Sequence, residues 1–126
     1  MQAAFVIDGE DDVKEQLAEQ QVIAQIWGAV INVVNKLIET HDNYGFGKFQ
    51  EGMNPRLETV VKAFTVVDAM LKTLAESGQL DPDEYRQVVN SRQCIYHTKR
   101  LALALDADDQ EEYEELIGLL SKQALV

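Results

Sequence analysis

From Val22 to Ile38 apolar residues cover most of a helical circumference, leaving only Gln21, Gln25, Asn32 and Lys36 as a narrow polar stripe. A helix apolar on most sides must be covered by other helices or by a second copy of the chain, so this segment dictates a packed helical assembly. It is short and polar for a membrane span, which needs about 20 mainly apolar residues. No membrane association is therefore expected.

Four helical segments follow from start and stop signals. The first spans about 10–40, capped by Asp8 or Asp11, with Asp11, Asp12 and Glu15 favoured near the positive end of its dipole. The Gly- and Asn-containing run His41-Asp42-Asn43-Tyr44-Gly45-Phe46-Gly47-Lys48 predicts a loop, and the whole break is expected over 41–54. The second helix, 55–76, opens with Asn54 as N-cap and Pro55 at its first position, and Gly78 stops it. Leu57, Val60, Val61, Phe64, Val67, Leu71 and Leu74 recur at helical spacing, while Glu58/Lys62 and Asp68/Lys72 form i,i+4 pairs.

The third helix, 82–105, uses Asp81 as cap, Pro82 at the first position and Glu84 to complete a capping box with Asp in place of Ser or Thr. The fourth, 108–124, carries Tyr113, Leu116, Ile117, Leu120 and Ala124 on one stripe. The only strand-like stretch is Ala3 to Ile7. Short connections make the later helices antiparallel neighbours. The expectation is one all-α domain over 1–126, a compact bundle of about four helices with a long apolar first helix.

The chain has 126 residues and a formal net charge of −11. Nucleic-acid binding relies on Lys and Arg displacing counterions, so direct binding of nucleic acid is not expected, and anionic membrane surfaces are disfavoured in the same way. A protein partner with a basic surface suits this charge better. The N-terminus lacks the basic flank of a signal peptide, which makes the cytoplasm the expected location.

Chemistry-bearing patterns are sparse. The two histidines, His41 and His97, belong to no metal-ligand spacing, so neither metal nor cofactor is expected. Gly45-Phe46-Gly47-Lys48 lacks the spacing of a phosphate-binding loop. The one cysteine, Cys94, reads as a small apolar filler and excludes a disulfide framework. Acids crowd residues 8–19 and 106–115. Helix N-termini favour acids, but Asp108, Asp109, Glu111, Glu112, Glu114 and Glu115 exceed what capping requires and are the candidate partner-binding residues. The same acids suit a mimic of nucleic-acid charge that inhibits a DNA- or RNA-binding machine.

On the third helix Tyr85, Val88, Val89, Ile95, Tyr96, Ala102 and Leu103 share a broad face with Arg92 and Lys99 in its midst. A cation there must be paired or must snorkel outward. Asp68, on the stripe of Leu57, Val61, Phe64 and Leu71, is the candidate partner of Arg92. Local snorkelling or pairing across a subunit boundary is the alternative.

Arg92-Gln93-Cys94-Ile95-Tyr96-His97 also reads as R-x4-H and resembles the motif of the HEPN ribonucleases. These are small helical-bundle proteins that cut RNA as dimers. The resemblance covers six residues, and it implies Arg92 and His97 as catalytic residues of a composite site. Gln93 stands where that family usually has Asn, Asp or His, and Lys99 where it often has Tyr.

Taken together, the residues favour a non-catalytic interaction protein, such as a small regulator, adaptor, assembly factor or inhibitor of the kind phages and mobile elements carry. It is expected to act through helix faces and acid-rich helix ends. Homo-oligomerisation through Val22, Ile26, Trp27 and Val30 is expected, because the first helix has more apolar surface than three short helices cover.

Overall fold

The computed structural model describes the backbone of residues 2–124 and the side chains of 22–53 and 56–123. The elements are α1 (Gln2–Glu76), α2 (Pro82–Asp106) and α3 (Gln110–Ala124), with no strand among the described residues. Gly45 interrupts α1 with φ 74° and ψ −175°, dividing it into a first arm, 2–44, and a second arm, 46–76. The result is a bundle of four helical segments. Polar ties give its register: Gln50 meets the end of α2, whereas Asp68 meets Arg92, so the second arm and α2 run antiparallel. Arg100 meets Glu112 and His97 meets Gln123, so α2 and α3 also run antiparallel.

The sequence-based boundaries of α1 need correction at three places. Helical backbone begins at Gln2, upstream of the Asp8 and Asp11 caps, and includes the strand-like Ala3–Ile7. The capping side chains themselves lie outside the described residues. The expected loop over 41–54 is helical apart from Gly45, and Asn54 and Pro55 are helix-interior positions. Phe49, Met53, Leu57, Val60 and Phe64 explain why, because they continue one helical stripe through the Gly-rich region. Phe49 and Leu57 are fully buried, and Met53 and Val60 pack against the same core. Burying two such side chains contributes about 1.5–3 kcal/mol each, more than the ~1 kcal/mol that a helical glycine costs.

The ends of α2 follow local rules closely. Glu84 N–H donates to Asp81 Oδ1 at 2.8 Å and Asp81 N–H to Glu84 Oε1 at 3.3 Å, a reciprocal capping box. The Glu84 N–H, the largest cause, holds the Asp81 carboxyl below its usual range, with the Glu84 side chain and the Asp83 N–H adding to it. At the other end Asp109 N–H reaches Ala104 O at 2.8 Å and Asp108 N–H reaches Leu105 O at 3.2 Å. This is a Schellman motif in which Asp108, at φ 54°, takes the left-handed place usually given to glycine. The fourth predicted helix therefore starts at Gln110, two residues after its expected start.

The first arm delivers Ile23, Val30, Val34 and Leu37 to the core, all nearly or wholly buried. Ile26, Trp27, Ile31, Val33 and Ile38 pack half-buried around them. By length and composition Val22–Met53 could cross a bilayer, with mean hydropathy 1.3 and 22% of its most apolar window buried. Here its buried positions belong to the bundle core. Val30, expected at an oligomer interface, is 1% exposed and covered within its own chain. Only Val22, at 40% exposed, with half-buried Ile26 and Trp27 remains available there.

Two glycines test the corrected boundary with opposite signs. Gly45→Ala forces an L residue into a region that only glycine occupies readily, and should destabilise by about 1–3 kcal/mol. Gly47 is helical with open space where a Cβ would stand, so Gly47→Ala should stabilise by about 0.5–1 kcal/mol. Urea unfolding of both variants checks this, and a stabilising Gly45→Ala would rule out the break at that position.

Candidate functional site

Most expected site residues have structural work within the chain. Arg92 Nε donates to Asp68 Oδ1 at 2.9 Å, so the pair read from the sequence meets. Its side chains are 37% and 29% exposed, which makes it a partly solvated pair, not a buried one. Such a pair is worth about 0.2–1 kcal/mol, well below the several kcal/mol of a buried ion pair broken by mutation. Arg92 and His97 are committed to different neighbours: Arg92 to α1, and His97 Nδ1 to Gln123 Oε1 on α3 at 3.0 Å. They do not converge within one chain. Gln123 also accepts from Cys94 Sγ at 3.5 Å and donates to Gln93 Oε1 at 3.3 Å, so one amide fastens the end of α3 to three residues of α2.

The acid-rich start of α3 is likewise partly occupied. Asp108 accepts from Gln50 Nε2 at 3.2 Å, and Asp109 caps α3 by accepting from Glu112 N–H at 3.1 Å. Glu112 pairs with Arg100, whose guanidinium is raised above its usual range by that bond. Glu114 accepts from Gln110 Nε2 at 3.3 Å. Of the six expected docking acids, only Glu111 and Glu115 point outward without a partner among the described residues. Capping and pairing account for the other four.

His41 is also structural, hydrogen-bonded through Nδ1 to the Tyr113 hydroxyl at 2.6 Å. Among the described residues no three His, Cys, Asp or Glu side chains gather into a group that could hold a metal.

A different surface stands open. Tyr85, Tyr96 and Leu103 lie on α2 about three and five helical turns apart, hence on one line roughly 27 Å long. They are 51%, 56% and 66% exposed. Arg92 and Lys99 interleave them, and Arg100 lies within 5.9 Å of the Tyr96 ring centre. Beside Leu103 a groove of about 910 Å³ runs between α2 and the second arm. Val61, Ala102 and Leu103 supply its apolar lining; Lys62, Lys99, Glu51, Glu58 and Asp106 supply its charges. The broad face expected from the sequence is split by the structure: Val88 and Ile95 turn into the core, whereas Tyr85, Tyr96 and Leu103 stay exposed, because periodicity marks a face without saying what covers each part of it.

Comparison with protein-family models, with curated proteins and with solved structures finds no match to this chain.

Two measurements follow from these assignments. In a double-mutant cycle, Asp68→Ala and Arg92→Ala should show a coupling of about 0.2–1 kcal/mol, and a coupling above ~3 kcal/mol would mean the pair is buried in solution. Burial pushes the Cys94 thiol up from 9.0 to about 11. As pH rises the unfolded thiol ionises first, so the stability Cys94 contributes is intact below pH 9.0 and lost as pH approaches about 11. Urea midpoints should fall more steeply with pH over that window for the parent than for Cys94→Ala. Equal slopes would place Cys94 in water.

Proposed function

We propose that this protein is a non-catalytic interaction module that binds another protein through the exposed line of α2. The observation that carries this reading is Tyr85, Tyr96 and Leu103, each at least half exposed on one line beside an apolar groove. Exposing large apolar side chains in register costs solubility, and Tyr and Arg are the residue types that most often anchor protein interfaces. Glu111 and Glu115, together with the net charge of −11, favour approach of a partner with a basic surface and make the encounter salt-sensitive. The reading places the chain in the cytoplasm, with Val22–Met53 as a core helix. Val22, Ile26 and Trp27 are the surface through which copies of the chain would associate.

Leu103→Asp and Tyr85→Ala change side chains that are largely in water, so the helical circular dichroism should be unchanged. A protein that co-purifies with the parent chain from its native cell should be lost from Leu103→Asp. Glu111→Lys with Glu115→Lys should weaken its binding mainly at low salt. Retention of that partner by Leu103→Asp would sink the α2 reading. Loss of cellular activity in His97→Ala, with fold and partner binding intact, would replace it with the ribonuclease reading.

A further inference from the structure

We propose that Gly45 is a hinge at which α1 straightens and exchanges its first arm with a second copy of the chain, each arm packing on the other copy's second arm, α2 and α3. This device stands independently of what binds the α2 line. Within the 75 residues of α1, Gly45 is the residue that leaves helical φ/ψ. Connections between bundled helices usually run about 2–8 residues, so a single hinge residue is unusually short. Its φ of 74° and ψ of −175° lie in a region essentially restricted to glycine. Helical φ/ψ at this one position makes both arms a single rod, and the space beside Gly45 is open to such a change.

Straightening withdraws the first arm from its own bundle. Ile23, Val30, Val34 and Leu37 would then be bared to water, and buried Tyr113 would lose His41. A second copy offers the matching cover, because the same movement vacates the same place on it. Each contact between first arm and bundle then recurs between copies, including the 2.6 Å bond between His41 and Tyr113. The closed and exchanged states therefore differ only in the hinge and in the entropy of association. A helical Gly45 relieves the strained turn and makes the helical hydrogen bonds continuous. Association entropy opposes this, and it weighs most in dilute solution. The closed monomer holds when the protein is dilute, and the exchanged dimer gains as it is concentrated.

A bilayer is the other place a bared apolar arm could go, since Val22–Met53 has a mean hydropathy of 1.3. Its apolar character is one-sided, however. Asn32, Asn35, Lys36 and Glu39 lie exposed on the remaining faces, and a hydrocarbon core would have to dehydrate them. A second copy leaves those residues in water.

Gly45→Ala tests the hinge, because alanine disfavours the bend and favours the rod. In sedimentation it should dimerise at about tenfold or more lower concentration than the parent. Dimerisation alone does not identify exchange. Nitroxides on exposed Asn32→Cys and Lys62→Cys, in a Cys94→Ala background and diluted with unlabelled chains, report the separation within one chain. In a straight helix these positions lie about 45 Å apart, and any bend at Gly45 brings them closer. The Gly45→Ala dimer should give the long distance and the parent monomer a shorter one. A Gly45→Ala chain that stays monomeric at hundreds of micromolar would overturn the hinge. So would a dimer that keeps the parent's distance, or monomers that gather on phosphatidylcholine vesicles. Should Gly45→Ala fail to fold, the doubly labelled parent is refolded from urea at high concentration. A dimer fraction with the long distance that persists on dilution supports exchange, because each arm must leave its host before the chains part. Refolding to monomer alone overturns it.

Discussion

The structure depends on how Tyr113 is buried. Its side chain has no exposure, and Phe46 and Phe49 on the second arm of α1 lie with ring centres 4.9 and 5.2 Å from its own. His41 on the first arm takes its hydroxyl. A buried phenol without a hydrogen-bond partner would lose about 1–3 kcal/mol, so the first arm must bring His41 to this point. The two arms therefore meet α3 on either side of Gly45, and a conformation open mainly to glycine lies between them. Burial also raises the Tyr113 hydroxyl well above its ordinary range, with Glu114 and Asp42 adding to the effect, so it stays neutral at its post.

From that point the remaining ties follow in order. Gln50, one position past Phe49, donates to Leu105 O at 2.8 Å and to Asp108, fastening the end of α2 where its carbonyls lack helical donors. Asp109 caps α3 immediately afterwards. The turn between α2 and α3 is thus held by its own Schellman motif and by α1. The far end is held by Gln123 and by the Asp68–Arg92 pair. Among the described residues one buried polar side-chain atom, Ser91 Oγ, finds no partner, and nothing in the structure explains it.

The bundle was legible in the sequence wherever the governing interaction is local. Asp81, Pro82 and Glu84 announce α2 because capping is decided within four residues. Asn54 and Pro55 use similar grammar and announce nothing, because there the burial of Phe49 and Leu57 decides the backbone, and burial depends on residues distant in sequence. The correct signal was present, since Phe49, Met53, Leu57, Val60 and Phe64 keep one helical phase across the glycines. Asp68 and Arg92 were legible as partners through stripe matching, but not their partial exposure, since a helical wheel carries no information about depth. The acids of α3 were legible in number but not in their local bonding: composition counts carboxylates, whereas geometry gives four of them partners within the chain.

That last point bears on which surface is free to bind. A net charge of −11 describes the field far from the molecule and falls away over a Debye length of about 8–10 Å in salt. At contact distance the local order of charges matters instead. On α2 that order is the reverse of the global one, because Tyr85 through Leu105 carries four cations and no carboxylate. Asp68 and Glu112 neutralise two of those cations, leaving Lys99 beside exposed Leu103 and Arg86 beside exposed Tyr85. The long-range field and the contact surface therefore select different things. The first biases which partners approach, and the second decides which side chains remain once water is expelled.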